Sequence, residues 1–243
     1  MRYKLVALDL DGTLLNSQSQ LSAKHIEAVK KAQDAGIQVV IATGRYYMQT
    51  ERIIQALDFQ GILVSNDGAV TINNRTKEIV HEHSFTIEEI SPLISFCRQN
   101  DIHFSLTTAF NHYVELMSPY QVDKCKQYEI RYTIHHDVMQ LKENVMKLTI
   151  DDENRVNGWQ NMTLPSKIKI RANAEFFKEY VHHQTSKTNG LRKILELYGI
   201  NPSEMIAIGD FYNDLDMIEY AGLGIAMGNA PEEVRFISNP FYA

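Results

Sequence analysis

Cysteine is almost missing from this chain. Cys97 and Cys125 are the only two in 243 residues, and they stand alone with no CxxC pair or other ligand spacing. That excludes a disulfide framework or a cysteine-built zinc site and fits two small reduced hydrophobes in a cytosolic protein. Long apolar runs are missing too, so no segment approaches a membrane span. An apolar strand begins almost at the N-terminus, leaving no room for a secretory leader, and a cytoplasmic location is the expectation. The glycosylation-like triplets Asn74-Arg75-Thr76 and Asn161-Met162-Thr163 carry no meaning without export. Excess positive charge is also lacking. Lys and Arg number 24 against 30 Asp and Glu, a net charge of -6, which gives nucleic acid no electrostatic footprint. There is no internal repeat and no low-complexity linker. The length allows one large or two modest domains.

What the chain does have is a set of apolar strands tipped with polar groups. Lys4 to Leu8 runs straight into Asp9, Leu10, Asp11, Gly12 and Thr13. A short, nearly continuous apolar run suits a central parallel strand covered on both faces. Residues two apart project to the same side, so Asp9 and Asp11 are expected to converge beyond the strand's C-terminal end, where open α/β sheets bind ligands. Two neighbouring carboxylates need a shared proton or a hard cation such as magnesium. Gly12 lets the backbone turn and come close to an anion. Taken alone, this pattern is better read as a strand ending in an Asp-Gly turn.

Three further pieces follow in order. Val39 to Ala42 is a second apolar run ending in Thr43-Gly44-Arg45, a hydroxyl and a small residue ahead of a helix N-terminus, suited to phosphate oxygens, although by itself the triplet is better read as a common strand-to-helix turn. Lys187 precedes the helical pattern Leu191, Ile194, Leu195, Tyr198 and, taken alone, reads as a solvated charge. Met205 to Ile208 forms a third strand, tipped by Gly209-Asp210 and closed by Asn213-Asp214. Asp210 follows its strand as Asp9 does, and Asp214 is equally placed to N-cap the next helix.

The organisation is one of alternation. Ser22 caps a helix carrying Ile26, Val29 and Ala32, with Gly36 at its stop. Strand, helix and strand follow through residues 37–64, and residues 70–72 and 78–83 read as a hairpin joined through Asn73-Asn74. From Thr86 the rhythm changes. Helices at 87–99 and 119–128 mix with strands at 103–107, 113–117, 145–150 and 167–172, which indicates an α+β insert before the core resumes at Thr185. The fold class is therefore α/β: a parallel-sheet core of residues 1–85 and 185–243 with an insert at 86–184. His81-Glu82-His83, His135-His136 and His182-His183 lack a third metal ligand and read as surface histidines. Gly222 to Gly228 misses the dinucleotide fingerprint by one residue. Asp151-Asp152-Glu153-Asn154 reads as a turn. Phe110 to Glu115 carries groups that could touch a substrate but is better read as strand and turn packing.

The ordered set Asp9-Leu10-Asp11-Gly12-Thr13, Thr43-Gly44-Arg45, Lys187 and Gly209 to Asp214 resembles the haloacid dehalogenase-like superfamily of phosphohydrolases. Ser65-Asn66-Asp67-Gly68-Ala69, Ser186-Lys187 with Leu191 four residues on, and Ala226-Met227-Gly228-Asn229-Ala230 narrow the resemblance to Cof-type sugar-phosphate phosphatases with a type IIB cap. The resemblance implies a Rossmann-like core, a substrate-specificity cap at 86–184, and Mg2+-dependent hydrolysis of small phosphorylated metabolites through an aspartyl-phosphate. It implies Asp9 as nucleophile, Asp11 as acid and base, and Lys187 balancing charge. Leu10 (by its N–H), Thr43, Gly44, Lys187 and Asn213 would bind phosphate, and Asp9, Asp11 (by its carbonyl) and Asp210 the metal. Arg45, Asn66 and Asp214 would support the site or touch substrate. The partner implied is a small phosphate ester, neither nucleic acid nor membrane. Departures are Thr188 and Asp67 where glycine is usual, and Val234 to Ala243 where relatives add a strand and helix, so one edge of the core is expected to stand open. A phosphomutase or phosphotransferase on the same scaffold is the nearer alternative, and a non-catalytic phosphate binder the more distant one. Neither the metabolite nor the oligomeric state is written in these motifs.

Overall fold

The structure, a computed structural model, describes residues 2–152 and 164–237. The chain divides into two compact units, one of Met1–Arg45, Thr50–Glu82 and Thr185–Ala243, the other of Tyr46–Gln49 and His83–Gln184.

The elements of the first unit begin with β1 (Leu5–Leu8), α1 (Ala23–Asp34), β2 (Gln38–Ala42), α2 (Tyr47–Ala56, its first residues grouped with the other unit), β3 (Ile62–Ser65), β4 (Val70–Asn73) and β5 (Ile79–Glu82). Ser22 caps α1 as expected, its side chain accepting from the His25 N–H at 3.1 Å. The second unit holds α3 (Ile87–Gln99), β6 (His103–Thr107), β7 (His112–Val114), α4 (Pro119–Gln127), β8 (Thr133–Ile134), β9 (Lys147–Asp151), β10 (Ile168–Asn173) and β11 (Phe177–His182). The chain then returns through α5 (Lys187–Tyr198), β12 (Met205–Gly209), α6 (Leu215–Tyr220), β13 (Leu223–Ala226) and α7 (Glu232–Ile237).

In the first unit the sheet order among the described residues is β13-β12-β1-β2-β3-β4-β5. The five strands from β13 to β3 are parallel, and β4 and β5 add an antiparallel hairpin at one edge. β1 is central, with Leu5 opposite both Gln38 and Met205. Leu5, Ala7, Val40, Ile62 and Val64 pack against Leu191 and Ile194 of α5. The parallel strand tips therefore emerge at one end, with Asp9 after β1, Thr43 after β2, Asn66 after β3 and Asp210 after β12. β13 is the other edge; the expectation of an open edge turns on Val234 to Ala243, of which residues 238–243 lie outside the described residues.

The second unit is a sheet in the order β10-β11-β9-β6-β7-β8, antiparallel except for β7 with β8. Ile90, Leu93, Ile94 and Cys97 of α3 pack on Phe104, Leu106, Leu148, Ile150 and Tyr180 of the sheet. Helix α3 begins in a full capping box, Thr86 with Glu89. Three expectations need correction. β7 ends at Val114 rather than Met117, because the chain turns outward at Leu116 to let Ser118 cap α4. β11 was not foreseen: Glu179 makes one of its faces charged, and only the partners Lys147 and Arg171, each at 2.7 Å, allow that face to be buried. Asp151 ends β9 instead of making a turn; Glu153, Asn154 and the 161–163 triplet lie outside the described residues.

Phe85 is buried in this second core, and its N–H and C=O both pair with Val145 at 2.8 Å. Truncating a buried phenylalanine removes transfer energy and leaves a cavity. Phe85→Ala is expected to lower unfolding free energy by about 3–5 kcal/mol. Urea denaturation followed by a probe in this unit measures it, and a change under about 1 kcal/mol would remove Phe85 from the core's centre.

Candidate active site

The site is built around a buried ammonium. Ser186 caps α5 through the Asn189 N–H, and the first helical residue, Lys187, turns its side chain inward, where it is 1% exposed. Its Nζ donates to Asp9 Oδ1 and to Asp214 Oδ1, each at 2.6 Å. Asp214 Oδ2 in turn accepts the N–H groups of Asp210 and Phe211 at 3.0 and 3.1 Å. Asp214 thus closes the turn before it and does not cap α6, for which it makes no side-chain cap bond. Burial alone would lower the Lys187 pKa, but Asp9 and Asp214 overcome that and hold it above the ordinary lysine value.

Asp9 is 4% exposed and only half satisfied. Its Oδ2 is buried with no hydrogen-bond partner. Burial pushes its carboxyl up to about 6, against the downward pull of Lys187 and with a further push from Asp214. Asp210, also raised by burial and then by Asp214, accepts from Asn229 Nδ2 at 2.8 Å and from Thr13 Oγ1 at 3.4 Å. Gly12 is required beside it: its φ is +81°, and a Cβ there would stand 2.1 Å from Asp210 Oδ2. Ligand oxygens of Asp9, Asp210 and Asp214 lie within 4.8 Å of one another, the one such group among the described residues. An all-oxygen set with one unpaired buried carboxylate oxygen and a single neutralising ammonium fits a hard divalent cation. The histidine pairs make no comparable group; His182 instead stacks on His83 with centroids 5.5 Å apart.

Asp11 is not part of this cluster of ligand oxygens. Its half-exposed carboxylate is forked by Arg45, Nε to Oδ2 at 2.8 Å and Nη2 to Oδ1 at 2.5 Å. Alternation along a strand no longer applies, since the chain has already left β1 at Leu8. Thr43 is fully buried, and its hydroxyl accepts the Arg45 N–H at 3.1 Å, with half-buried Gly44 between them. Leu10 is buried, its N–H acting on the Asp9 carboxylate. Asn213 donates from Nδ2 to Asp67 Oδ1 at 2.7 Å. Asn66 is 2% exposed, and both polar atoms of its amide lack partners. Asn229 and Thr13 are part of the quoted motifs, and the structure adds that both donate to Asp210. Both lie just beyond strand tips next to the Asp210 loop, which is the signal that could have found them.

The chain matches the family model of haloacid dehalogenase-like hydrolases over residues 6–239. It belongs to that family. Phosphatase YwpJ of Bacillus subtilis is 26% identical over 97% of this chain and 93% of its own length. The Bacillus subtilis protein named 5-amino-6-(5-phospho-D-ribitylamino)uracil phosphatase YwtE is 30% identical over 96% of this chain and 90% of its own. A haloacid dehalogenase-like hydrolase from Bacteroides thetaiotaomicron superposes with a TM-score of 0.85 at 31% identity, covering 98% of this chain and 92% of that one. This hydrolase is thus a phosphoric monoester hydrolase of the Cof type. No helix among its described residues is long and apolar enough to cross a membrane.

Asp9 also sets a pH dependence. A carboxyl raised to about 6 when folded and near 3.8 when unfolded binds more protons in the folded state between those values. Stability in metal-free protein is therefore greatest below about pH 4 as far as this group is concerned and is lost as pH rises through 6. Asp9→Asn keeps an acceptor for Lys187 and cannot ionise. In chelator it is expected to melt above the parent at pH 7, with the gap closing at pH 4. A gap independent of pH would show that Asp9 is not strained by its burial.

Proposed function

We propose that this enzyme is a magnesium-dependent phosphatase of small phosphorylated metabolites, sugar phosphates or related monoesters, acting through a phosphorylated Asp9. The observation that carries the reading is the state of Asp9: buried, fixed at Oδ1 by Lys187, and left with an unpaired Oδ2 beside Asp210. A buried carboxylate so placed is costly as a structural element and suited to a nucleophile. Magnesium held by Asp9, Asp210 and the Asp11 carbonyl would offset repulsion between nucleophile and phosphate dianion.

The remaining chemistry belongs to the chain. Asp9 forms a bond to phosphorus as the bond to the leaving oxygen breaks, dividing one slow hydrolysis into two steps. Lys187, unable to leave its two carboxylates without becoming an unpaired buried charge, keeps Asp9 from rotating and balances charge during transfer. Thr43 Oγ1, already accepting from Arg45, offers its hydroxyl proton to a phosphate oxygen, as do the Gly44 amide, the Leu10 amide and Asn213. Asp11 protonates the leaving alkoxide and later takes a proton from the attacking water, which requires it to come off the Arg45 fork. Arg45 therefore either parks Asp11 or transfers to the phosphate when substrate arrives. Asp214 supports Lys187 and the Asp210 loop. The unit containing His83–Gln184, with a core of its own, is assigned substrate selection.

Two experiments test this. A panel of phosphorylated metabolites assayed for released phosphate is expected to yield Mg2+-dependent turnover that chelator abolishes and that Asp9→Asn lacks. Metal-independent release, or substantial release by folded Asp9→Asn, would contradict the proposal. Asp11→Asn separates the two carboxylates of the motif. Its loss of kcat is expected to be large for alkyl phosphates and at least about tenfold smaller for esters whose leaving group needs no proton. Equal losses across the leaving-group series would take Asp11 out of the acid role.

A further inference from the structure

The turn after β3 runs through three successive left-handed residues, Asn66 (φ 51°), Asp67 (φ 53°) and Gly68 (φ 89°). Glycine takes that conformation freely and other residues do so at a cost, so a non-glycine held there needs a reason in its surroundings. At Gly68 the reason for glycine is steric, because a Cβ would stand 1.9 Å from the Ser186 carbonyl oxygen, immediately before Lys187. At Asp67 the side chain itself supplies the reason for a residue that glycine would replace without strain. Asp67 is 8% exposed, and its Oδ1 accepts from Asn213 Nδ2 at 2.7 Å across 146 positions of sequence. Its N–H also donates to the Thr43 carbonyl at 3.0 Å, so one strained residue is bonded to two of the loops proposed to hold phosphate.

The chemistry of the pair is directional. An ionised carboxylate only accepts, so it pairs with the NH2 end of an amide and excludes the flipped orientation. An amide without that partner can present its carbonyl oxygen, which a phosphate oxygen repels. We propose that Asp67 is a positioning residue for phosphate binding: it fixes the orientation of the Asn213 amide so that the second N–H of the same group stays available to a phosphate oxygen. This rests on the reading of Asn213 as a phosphate ligand. In this role Asp67 touches neither metal nor substrate, and its effect on phosphate passes through Asn213.

Kinetics with an activated phosphate ester, and inhibition by inorganic phosphate, test it on Asp67→Gly, Asp67→Asn, Asn213→Ala and the Asp67→Gly/Asn213→Ala double variant. Glycine suits the left-handed backbone, so Asp67→Gly is expected to melt with the parent, and melting curves check that it does. Asp67→Gly should raise KM and the inhibition constant for phosphate together by about tenfold, with a smaller change in kcat. Asp67→Asn, which can pair with either end of the amide, should fall between it and the parent. In the Asn213→Ala background, Asp67→Gly should change neither constant by more than about twofold, since the group it orients is gone. Unchanged constants in folded Asp67→Gly would overturn the inference, and so would equal effects with and without Asn213, which would make Asp67 a purely structural residue. A parent protein that released no phosphate from any ester would overturn the phosphatase reading and this inference with it, whereas an active parent with an unaffected Asp67→Gly overturns this inference alone.

Discussion

One ammonium between two carboxylates sets the terms for the rest of the site. Lys187 comes from the start of α5, Asp9 from the tip of β1, and Asp214 from the turn after β12. Removing a charged group from water costs several kcal/mol unless partners compensate it. Lys187 is compensated by both neighbours, but the neighbours are not equally compensated by Lys187. Asp214 has its second oxygen filled by two backbone N–H groups, while Asp9 has its second oxygen empty. The asymmetry is one of satisfaction: Asp214 is held by the backbone around it, and Asp9 keeps an open oxygen, as the proposed nucleophile would need.

The surroundings protect that asymmetry by close approach. Gly12 admits the Asp210 carboxylate to within a distance that any side chain would forbid, and Gly68 does the same for the backbone leading into Lys187. Asp210 is steadied from two strand tips, by Thr13 and Asn229. Arg45 forks the Asp11 carboxylate, and the carboxylates clustered near the single ammonium are Asp9, Asp210 and Asp214. Thr13, Asn229 and Arg45 supply donors where negative charge accumulates, as a site for a phosphate dianion and a divalent cation would need.

The parallel strands were legible because β1, β2, β3 and β12 are short apolar runs, each ending in a polar residue, and α1 because Ser22 announces its start. The loop residues Asp9, Thr43 and Asp210 were legible for the same reason, since strand tips in a parallel sheet face one end. The Arg45 fork on Asp11 was not legible, because its partner lies 34 positions on and the chain has already left β1 at Leu8. Asp67 and Asn213 are 146 positions apart, and no local pattern announces a hydrogen bond between them. β11 hid because Glu179 makes a buried face look exposed until Lys147 and Arg171 arrive from other strands. Local rules fail where a tertiary partner decides the environment of a charge.

The central claim is that Asp9 bonds to phosphorus, and the stereochemistry at phosphorus tests it most directly. Each in-line displacement inverts the phosphorus centre, so transfer first to Asp9 and then to water returns the original configuration. Hydrolysing an ester made chiral at phosphorus with oxygen isotopes and sulfur, and reading the configuration of the released thiophosphate, is expected to show retention. Inversion would mean that water attacks the substrate directly and that Asp9, for all its burial and its bond to Lys187, is not the nucleophile.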